Sequence, residues 1–354
     1  MLLNFIIIKI KYLKYLIFIF ILSSCLDNNN SLKSDYSKAK ILPDVKVRLL
    51  TLSGDAAKRS NEFSGLAWFK DNLIMLPQYA GRDSADGGGF LFSIKKKRIL
   101  DFISGRNASP ITANKIKFIA KGLEKYNNTG SGYESIGFDG NRVYVTIESN
   151  KGGKTIGNIV TGNINETTNE ITLDASSLKE IKSQSGIFNL SEEALLITDQ
   201  NIVTFHEANG LNVNPKPVVH LFDKDLNFSG TIPFPHIEYR ITDATDIADD
   251  GTFWVMNYLW PGDRKSLKPA ADSLIIKFGI SESNKNNPAI ERIVKLKYSP
   301  SGITVVNRPP VYLDISKSPQ GSNWEGIVKI DSLGFLITTD KFPTSLLGFV
   351  PFEK

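Results

Sequence analysis

The residues in this 354-residue chain whose types and spacing could do chemistry are acids that recur at matching points of a repeated unit. Glu134, Asp246 and Glu325 each sit in a short stretch where a small or acidic pair meets an apolar residue. A polar turn and an alternating strand follow, and the strand ends on a polar residue such as Glu148 or Asp340. Carboxylates held close together repel one another unless a proton or a cation intervenes. Hard oxygen donors suit Ca²⁺ or Mg²⁺. Glu134, Asp246 and Glu325 are therefore the expected metal ligands, and Glu148 and Asp340 the expected catalytic acids, one of which would take a proton from water. The same acids could instead cap strand ends and accept backbone N–H groups, and at this stage both readings stand.

Other chemistries lack their signatures. Gly132-Tyr133-Glu134-Ser135-Ile136-Gly137 has the wrong spacing for a nucleophile elbow. His206, His220 and His236 form no zinc-binding pattern and read as surface or strand residues. Gly87-Gly88-Gly89 has no following Lys-Ser/Thr and reads as a loop, not a phosphate cradle.

The elements that must position the acids are short strands. Long helical patterns with caps are missing after residue 40. Five copies of the strand–turn–strand unit begin at Ser64-Gly65-Leu66, Glu134-Ser135-Ile136, Ser185-Gly186-Ile187, Thr245-Asp246-Ile247 and Glu325-Gly326-Ile327. Their polar ends are Gln78, Glu148, Asp199, Asn257 and Asp340. Turns such as Asp139-Gly140-Asn141 and Asp249-Asp250-Gly251 suit hairpins because they tolerate positive φ. One hairpin core every 50 to 80 residues points to an all-β fold, a β-propeller whose blades bury their faces against each other. Two packed β-sandwiches are the rival architecture. The spacing favours six blades, with five as the alternative, the extra hairpin running from Ile275–Phe278 to Ile293–Lys297. A strand Val45–Leu52 is expected to close the ring by joining the C-terminal strand Leu346–Pro351 in one blade.

Loops at one mouth of such a channel would carry Tyr79, Arg82 and Asp83 after the first unit, and Tyr258, Trp260 and Arg264 after the fourth. Aromatic and charged side chains on loops of a rigid scaffold suit ligand binding, although ordinary loop composition accounts for them equally well.

The N-terminus carries a different signal. Lys9, Lys11 and Lys14 precede the apolar run Tyr15–Leu22, and Ser23-Ser24 lead to Cys25, the single cysteine. This order is that of a secretory signal peptide, and Leu22-Ser23-Ser24-Cys25 resembles the lipobox of bacterial lipoproteins. The expected organisation is a signal peptide over residues 1–24, a tether over 25–44 lipidated at Cys25, and a propeller over 45–354. Location would be the bacterial cell envelope, with the membrane as partner through the lipid. More than one acyl chain is needed for stable anchoring. A single cysteine allows no internal disulfide. The formal charge of +5 owes three charges to the leader lysines, so it gives no reason to expect nucleic acid. A monomer is expected.

Several segments together resemble the exported bacterial propeller family called "esterase-like activity of phytase". They are Ser64-Gly65-Leu66-Ala67-Trp68, Tyr133-Glu134-Ser135-Ile136, Val145-Thr146-Ile147-Glu148, Asn323-Trp324-Glu325-Gly326-Ile327, Thr338-Thr339-Asp340-Lys341-Phe342 and Leu346-Leu347-Gly348-Phe349. Propellers of the strictosidine synthase and lactonase type share such Glu-Gly-Ile starts and hold calcium in the channel. The resemblance thus implies calcium at Glu134 and Glu325 and hydrolysis of a phosphate or carboxylic ester. Serine in the first and third copies, and Gln78 where an aspartate is more usual, depart from that pattern. The competing expectation is a cell-surface propeller that binds a protein or polymer without chemistry.

Overall fold

The computed structural model describes residues 36–81, 88–126, 132–340 and 344–352. Cys25, Arg82 and Asp83 lie outside them. The described strands form a five-bladed β-propeller. From the axis outward, blade one is built of Phe63–Phe69, Asn72–Pro77, Gly89–Lys95 and Asn114–Ile119. Blade two is built of Gly132–Asp139, Arg142–Lys151 and Lys154–Asn165, with Glu170–Leu173 and Lys179–Ile181 sharing the outer edge. Blade three comprises Glu192–Ile197, Ile202–His206, Val218–Phe222 and Phe228–Pro233. Blade four comprises Arg240–Ala244, Thr252–Leu259 and Ile290–Ser299, edged by Gly302–Val305 and Val311–Leu313. Blade five comprises Trp324–Ile330, Gly334–Thr339 and Leu347–Pro351, and Arg48–Leu50 completes it antiparallel to Leu347–Pro351. Closure by both chain ends within one blade is thus observed. The innermost strands pack in cyclic order and the fifth returns to the first.

Each blade is buried on both faces, so the middle strands are apolar at nearly every position, as Asn72–Pro77 shows. The core is divided into seams between successive blades. Tyr144, Ile159, Leu195 and Ile202 pack between blades two and three. Val203, Phe205, Phe253 and Val255 pack between three and four. Trp254, Met256, Phe335 and Ile337 pack between four and five.

Six blades is corrected to five. Ile275–Phe278 belongs to the helix Ser273–Phe278, which Asp272 caps by accepting the N–H groups of Leu274 and Ile275. Ile293–Lys297 is the heart of the third strand of blade four, paired with Thr252–Leu259. The long gap before the last unit therefore holds outer strands and a helical insert. Similarly, the helix Lys96–Ile103 fills the gap within blade one. Part of the stretch 25–44, expected to be a tether, is built into the described structure. Ile41–Leu42 pairs in parallel with Ile280–Ser281, and the Tyr36 hydroxyl accepts the Asp272 N–H at 2.9 Å.

Two units are shifted in register. The innermost strand of blade three is Glu192–Ile197, not the segment at Ser185, and its hairpin partner ends at His206, not Asp199. In blade four the innermost strand is Arg240–Ala244, which ends before Asp246.

Candidate active site

Every innermost strand carries an irregularity at the same place, near the start of its pairing with the second strand. The extra residue is Ser64, Glu193, Thr242 and Glu325 in blades one, three, four and five, and in blade two the irregularity spans Glu134 and Ser135. A bulge re-aims the side chain it carries. Five such positions around a closed ring bring Ser64, Glu134, Glu193, Thr242 and Glu325 to one level of the channel. On the second strands the matching level holds Gln78, Glu148, Glu207, Tyr258 and Asp340; Gly132 pairs with Glu148, and Arg240 with Tyr258.

The next residue inward along the bulged strand is Gly65, Ser135, Ala194, Asp243 or Gly326. Strands approach closely here: a Cβ on Gly65 would stand 3.1 Å from the carbonyl oxygen of Glu134. Asp243 alone is large, and its carboxylate fills the axis. It accepts N–H groups from Leu66 of blade one at 3.3 Å, Ile327 of blade five at 2.9 Å and Ala244 at 2.9 Å, and the Ser135 hydroxyl of blade two at 3.3 Å. Burial pushes its pKa well above the usual range even against these donors. Two bulge hydroxyls also join blades. Ser64 donates to the Tyr133 carbonyl at 2.6 Å and Thr242 to the Glu325 carbonyl at 3.0 Å. The serine of the first unit is thus a link between blades.

Above this floor lies a cavity of about 190 Å³ lined by Ser64, Gln78, Tyr79, Glu134, Glu148, Asn189, Glu193, Arg240, Asn323, Glu325 and Asp340. Five of the eleven are acids, and Arg240 is the one cation among them. Its guanidinium is already engaged: Nε donates to Glu207, Nη1 donates to the Tyr258 hydroxyl at 2.9 Å, and Glu193 and Asp263 lie 3.7 and 3.6 Å away. Asn323 donates to Glu325 at 3.0 Å and to Asp340 at 3.3 Å, and accepts from Tyr258. Gln78 donates to Glu134 at 3.1 Å.

Burial outweighs these contacts. It pushes Glu148 up to about 7, against the Ser191 hydroxyl and Arg240. It also pushes Glu325 up to about 7, with Arg240 opposing and Asp340 adding to the rise. Burial and then the neighbouring Glu148 carry Glu134 well above the ordinary range, while burial and then Glu325 do the same for Glu193. One Glu148 oxygen, Oε2, is buried without a hydrogen-bond partner. The pocket therefore contains carboxyls pushed well above their ordinary range beside carboxyls that titrate near neutral pH.

Of the expected site residues, Glu134, Glu148, Glu325, Asp340 and Tyr79 line this pocket. Tyr258 is buried beside it as the hydroxyl partner of Arg240. Asp246 is exposed beyond the end of its strand and does not join Glu134 and Glu325. Trp260 is 49% exposed, and Arg264 donates to the Pro288 carbonyl, neither lining the cavity. Glu193, Arg240 and Asn323 escape sequence reasoning. The sequence does hold a signal for the first of them: Glu193-Ala194-Leu195 is an acid, small, apolar triplet like Glu325-Gly326-Ile327. His206 and His220 are strand residues, one of the two expected placements, and are buried in blade three.

Calcium's ligands are carboxylate oxygens of this type, and the surplus of acid would favour a cation. Among the described residues, no three acidic, histidine or cysteine side chains stand together in a group able to hold a metal ion. The ring is a set of buried carboxyls around Arg240 whose pKa values burial raises.

No family model matches the chain, and no curated protein matches it in sequence. Solved structures share its outline loosely. An exo-1,5-α-L-arabinanase from a bovine ruminal metagenomic library superposes with a TM-score of 0.40 at 10% identity, over 84% of this chain and 94% of that one. The α-L-arabinanase of Penicillium chrysogenum complexed with arabinobiose gives 0.43 at 9% identity, over 84% and 80%. The GH32 β-fructofuranosidase BmSUC1 of Bombyx mori gives 0.42 at 10% identity, over 94% of this chain and 63% of that one. Overlaps this loose carry nothing about activity, and the propeller assignment rests on the strand pairing itself.

Proposed function

We propose that the channel pocket is the reactive site of a hydrolase that cleaves a small, uncharged carboxylic ester, with its own carboxyls as acid and base. The observation that carries this reading is the pairing of Glu134 and Glu148 on adjacent strands of blade two. The first is pushed well above the ordinary carboxylate range and the second up to about 7, with a free oxygen. Environments that push two carboxyls apart in pKa supply an acid and a base at one point. Glu148 takes a proton from water as that water attacks the ester carbon, and Glu134 gives its proton to the departing oxygen. Glu325 and Asp340, tied together through Asn323, orient the polar part of the substrate.

The charge of the pocket selects the ester class. Arg240 is held by Glu207, Glu193 and Asp263, so among the described residues that line the cavity no cation is left for a phosphate. Of the two classes that the phytase-like resemblance implies, the carboxylic ester is favoured. Because the acids do not form a calcium cradle, no step is routed through a metal. A calcium titration tests the point: this reading expects hydrolysis to survive EDTA and the melting temperature to stay constant through millimolar calcium. A rise in either with calcium would restore the metal.

Export and lipid anchoring at Cys25 belong to the same proposal. Cys25→Ser is expected to release the protein from membranes, and the intact N-terminus is expected to carry diacylglycerol by mass. A panel of neutral carboxylic esters against matched phosphate monoesters tests the chemistry, with turnover of the neutral set alone as the expected outcome. A binding propeller without chemistry would turn over neither.

A further inference from the structure

A second constellation lies outside the channel pocket, in blade three and the segment leading into it. Ser185 Oγ stands 2.8 Å from Nε2 of His206. Nδ1 of the same ring faces Oε1 of Glu192 at 3.8 Å. His206 and Glu192 are 1% and 2% exposed, whereas Ser185 is half-buried and Gly186 exposed. A hydroxyl in contact with an imidazole, itself faced by a buried carboxylate, is the arrangement that activates a serine.

We propose that Ser185, His206 and Glu192 form a serine-nucleophile site, separate from the carboxyl pocket, that acts on carboxylic esters through an acyl-enzyme. Neither oxygen of Glu192 has a hydrogen-bond partner, nor has His206 Nδ1. In the tautomer that carries its proton on Nδ1, facing Glu192, the Nε2 lone pair is aimed at the serine hydroxyl. Burial lowers the His206 pKa, Glu192 counters this and His220 adds to it, so the ring is the neutral base at pH 7. His220 Nδ1 lies 3.6 Å from the same Glu192 oxygen.

The segment is also pinned on both sides of the serine. The Gln184 side chain holds Val218 through its N–H at 3.0 Å and its carbonyl at 2.9 Å, and the Asn189 N–H donates to Thr155 at 2.6 Å. A nucleophile held this way loses little entropy on reaching the reactive geometry. The chain beside the serine is open to solvent, since a Cβ built on Gly186 would meet nothing within 4 Å. Phe188, 62% exposed, offers an apolar surface nearby in the chain.

The chemistry balances without a co-reactant other than water. Ser185 Oγ bonds to the carbonyl carbon as His206 takes its proton, and the alcohol leaves with that proton. Water then attacks the acyl carbon, passes its proton to His206, and frees the acid and Ser185.

A fluorophosphonate probe on the full-length protein tests this, because it reacts with activated serines. The expected result is one adduct on Ser185, absent in Ser185→Ala, forming about 10²-fold faster than any adduct on the exposed Ser332 of the same chain. His206→Gln is expected to slow labelling by about 10²-fold or more. Glu192→Gln tests the positioning role: the pH midpoint of labelling should move down, because Glu192 is the group that holds the His206 pKa up. A Ser185 adduct no faster than that on Ser332, or none, overturns the proposal, as does a midpoint that Glu192→Gln leaves in place. The contrast between Ser185 and Ser332 is read on the wild-type protein, so it stands even if His206→Gln misfolds. The channel reading is judged separately, by ester turnover that depends on Glu148.

Discussion

Replacing Asp243 by alanine should destabilise the whole ring, because one carboxylate holds blades one, two, four and five at the axis. The substitution leaves two buried N–H groups, of Ile327 and Ala244, without the oxygen they meet at 2.9 Å. Each unpaired buried donor costs about 1–3 kcal/mol. The longer contacts from Leu66 and Ser135, both 3.3 Å, add roughly 0.5 kcal/mol each. Relief of the buried carboxyl, whose raised pKa records its desolvation, offsets part of the loss. The net expectation is about 3–5 kcal/mol. At roughly 2 °C per kcal/mol for a domain of this size, the melting temperature falls by about 6–10 °C. Ser135→Ala should cost only about 0.5–1 kcal/mol, since Asp243 keeps its other donors. The double variant should match Asp243→Ala closely, because the serine then has no axial partner to lose. Thermal unfolding followed by circular dichroism measures all three. An Asp243→Ala protein within about 1 kcal/mol of wild type would refute the axial role.

Three further outcomes follow from the buried charges. Arg292 and Asp272 pair at 2.8 Å with neither side chain more than 1% exposed, so Asp272→Ala should cost about 3–5 kcal/mol in a chemical unfolding experiment. A smaller loss would mean that Asn257 and Tyr312 satisfy Arg292 unaided. Stability should be greatest in mild acid and fall as pH rises from about 4.5 to about 7. Glu148, Glu291 and Glu325 hold their protons more tightly folded than unfolded, and that advantage is lost as pH climbs through their raised pKa values. A melting temperature that rises between pH 5 and pH 8 would contradict this. Glu291→Gln should flatten part of the fall, because Glu291 is buried and its pKa is pushed up to about 7.

Much of the propeller is legible in the sequence because hairpin turns and apolar runs follow local rules. Asp139-Gly140-Asn141 turns where expected, with Gly140 at φ 58°, and the closing strand pairs at Leu347–Pro351. The departures have one physical source. A bulge is a property of strand pairing, and two sequence triplets can compete for it. In Ile241-Thr242-Asp243-Ala244-Thr245-Asp246-Ile247 the Thr-Asp pair occurs twice, three residues apart, and the fold uses the first copy rather than the second. Ser185-Gly186-Ile187 mimics Ser64-Gly65-Leu66 and masks Glu193 in the same way. Glu134, Glu148, Glu325 and Asp340 stand out because their units lack such a competitor. Arg240 is invisible in the sequence, since its role comes from Glu207, Tyr258 and Asp263, which are brought to it only by the closed ring. Blade number is overcounted because Ile275–Phe278 is apolar enough for a strand, while its helix is set by the cap at Asp272.

The central claim is that Glu148 works as a base in the channel pocket, and the pH profile of kcat/KM for a neutral carboxylic ester tests it most directly. Wild type should gain activity as pH rises through about 7, where Glu148 ionises, and lose it again at higher pH as Glu134 gives up its proton. In a Ser185→Ala background, which removes the blade-three site, Glu148→Gln should lower kcat/KM by about 10²–10⁴-fold and abolish the rising limb. A Glu148→Gln protein that in this background keeps the turnover of its Ser185→Ala parent, or keeps the rise through pH 7, would contradict the account.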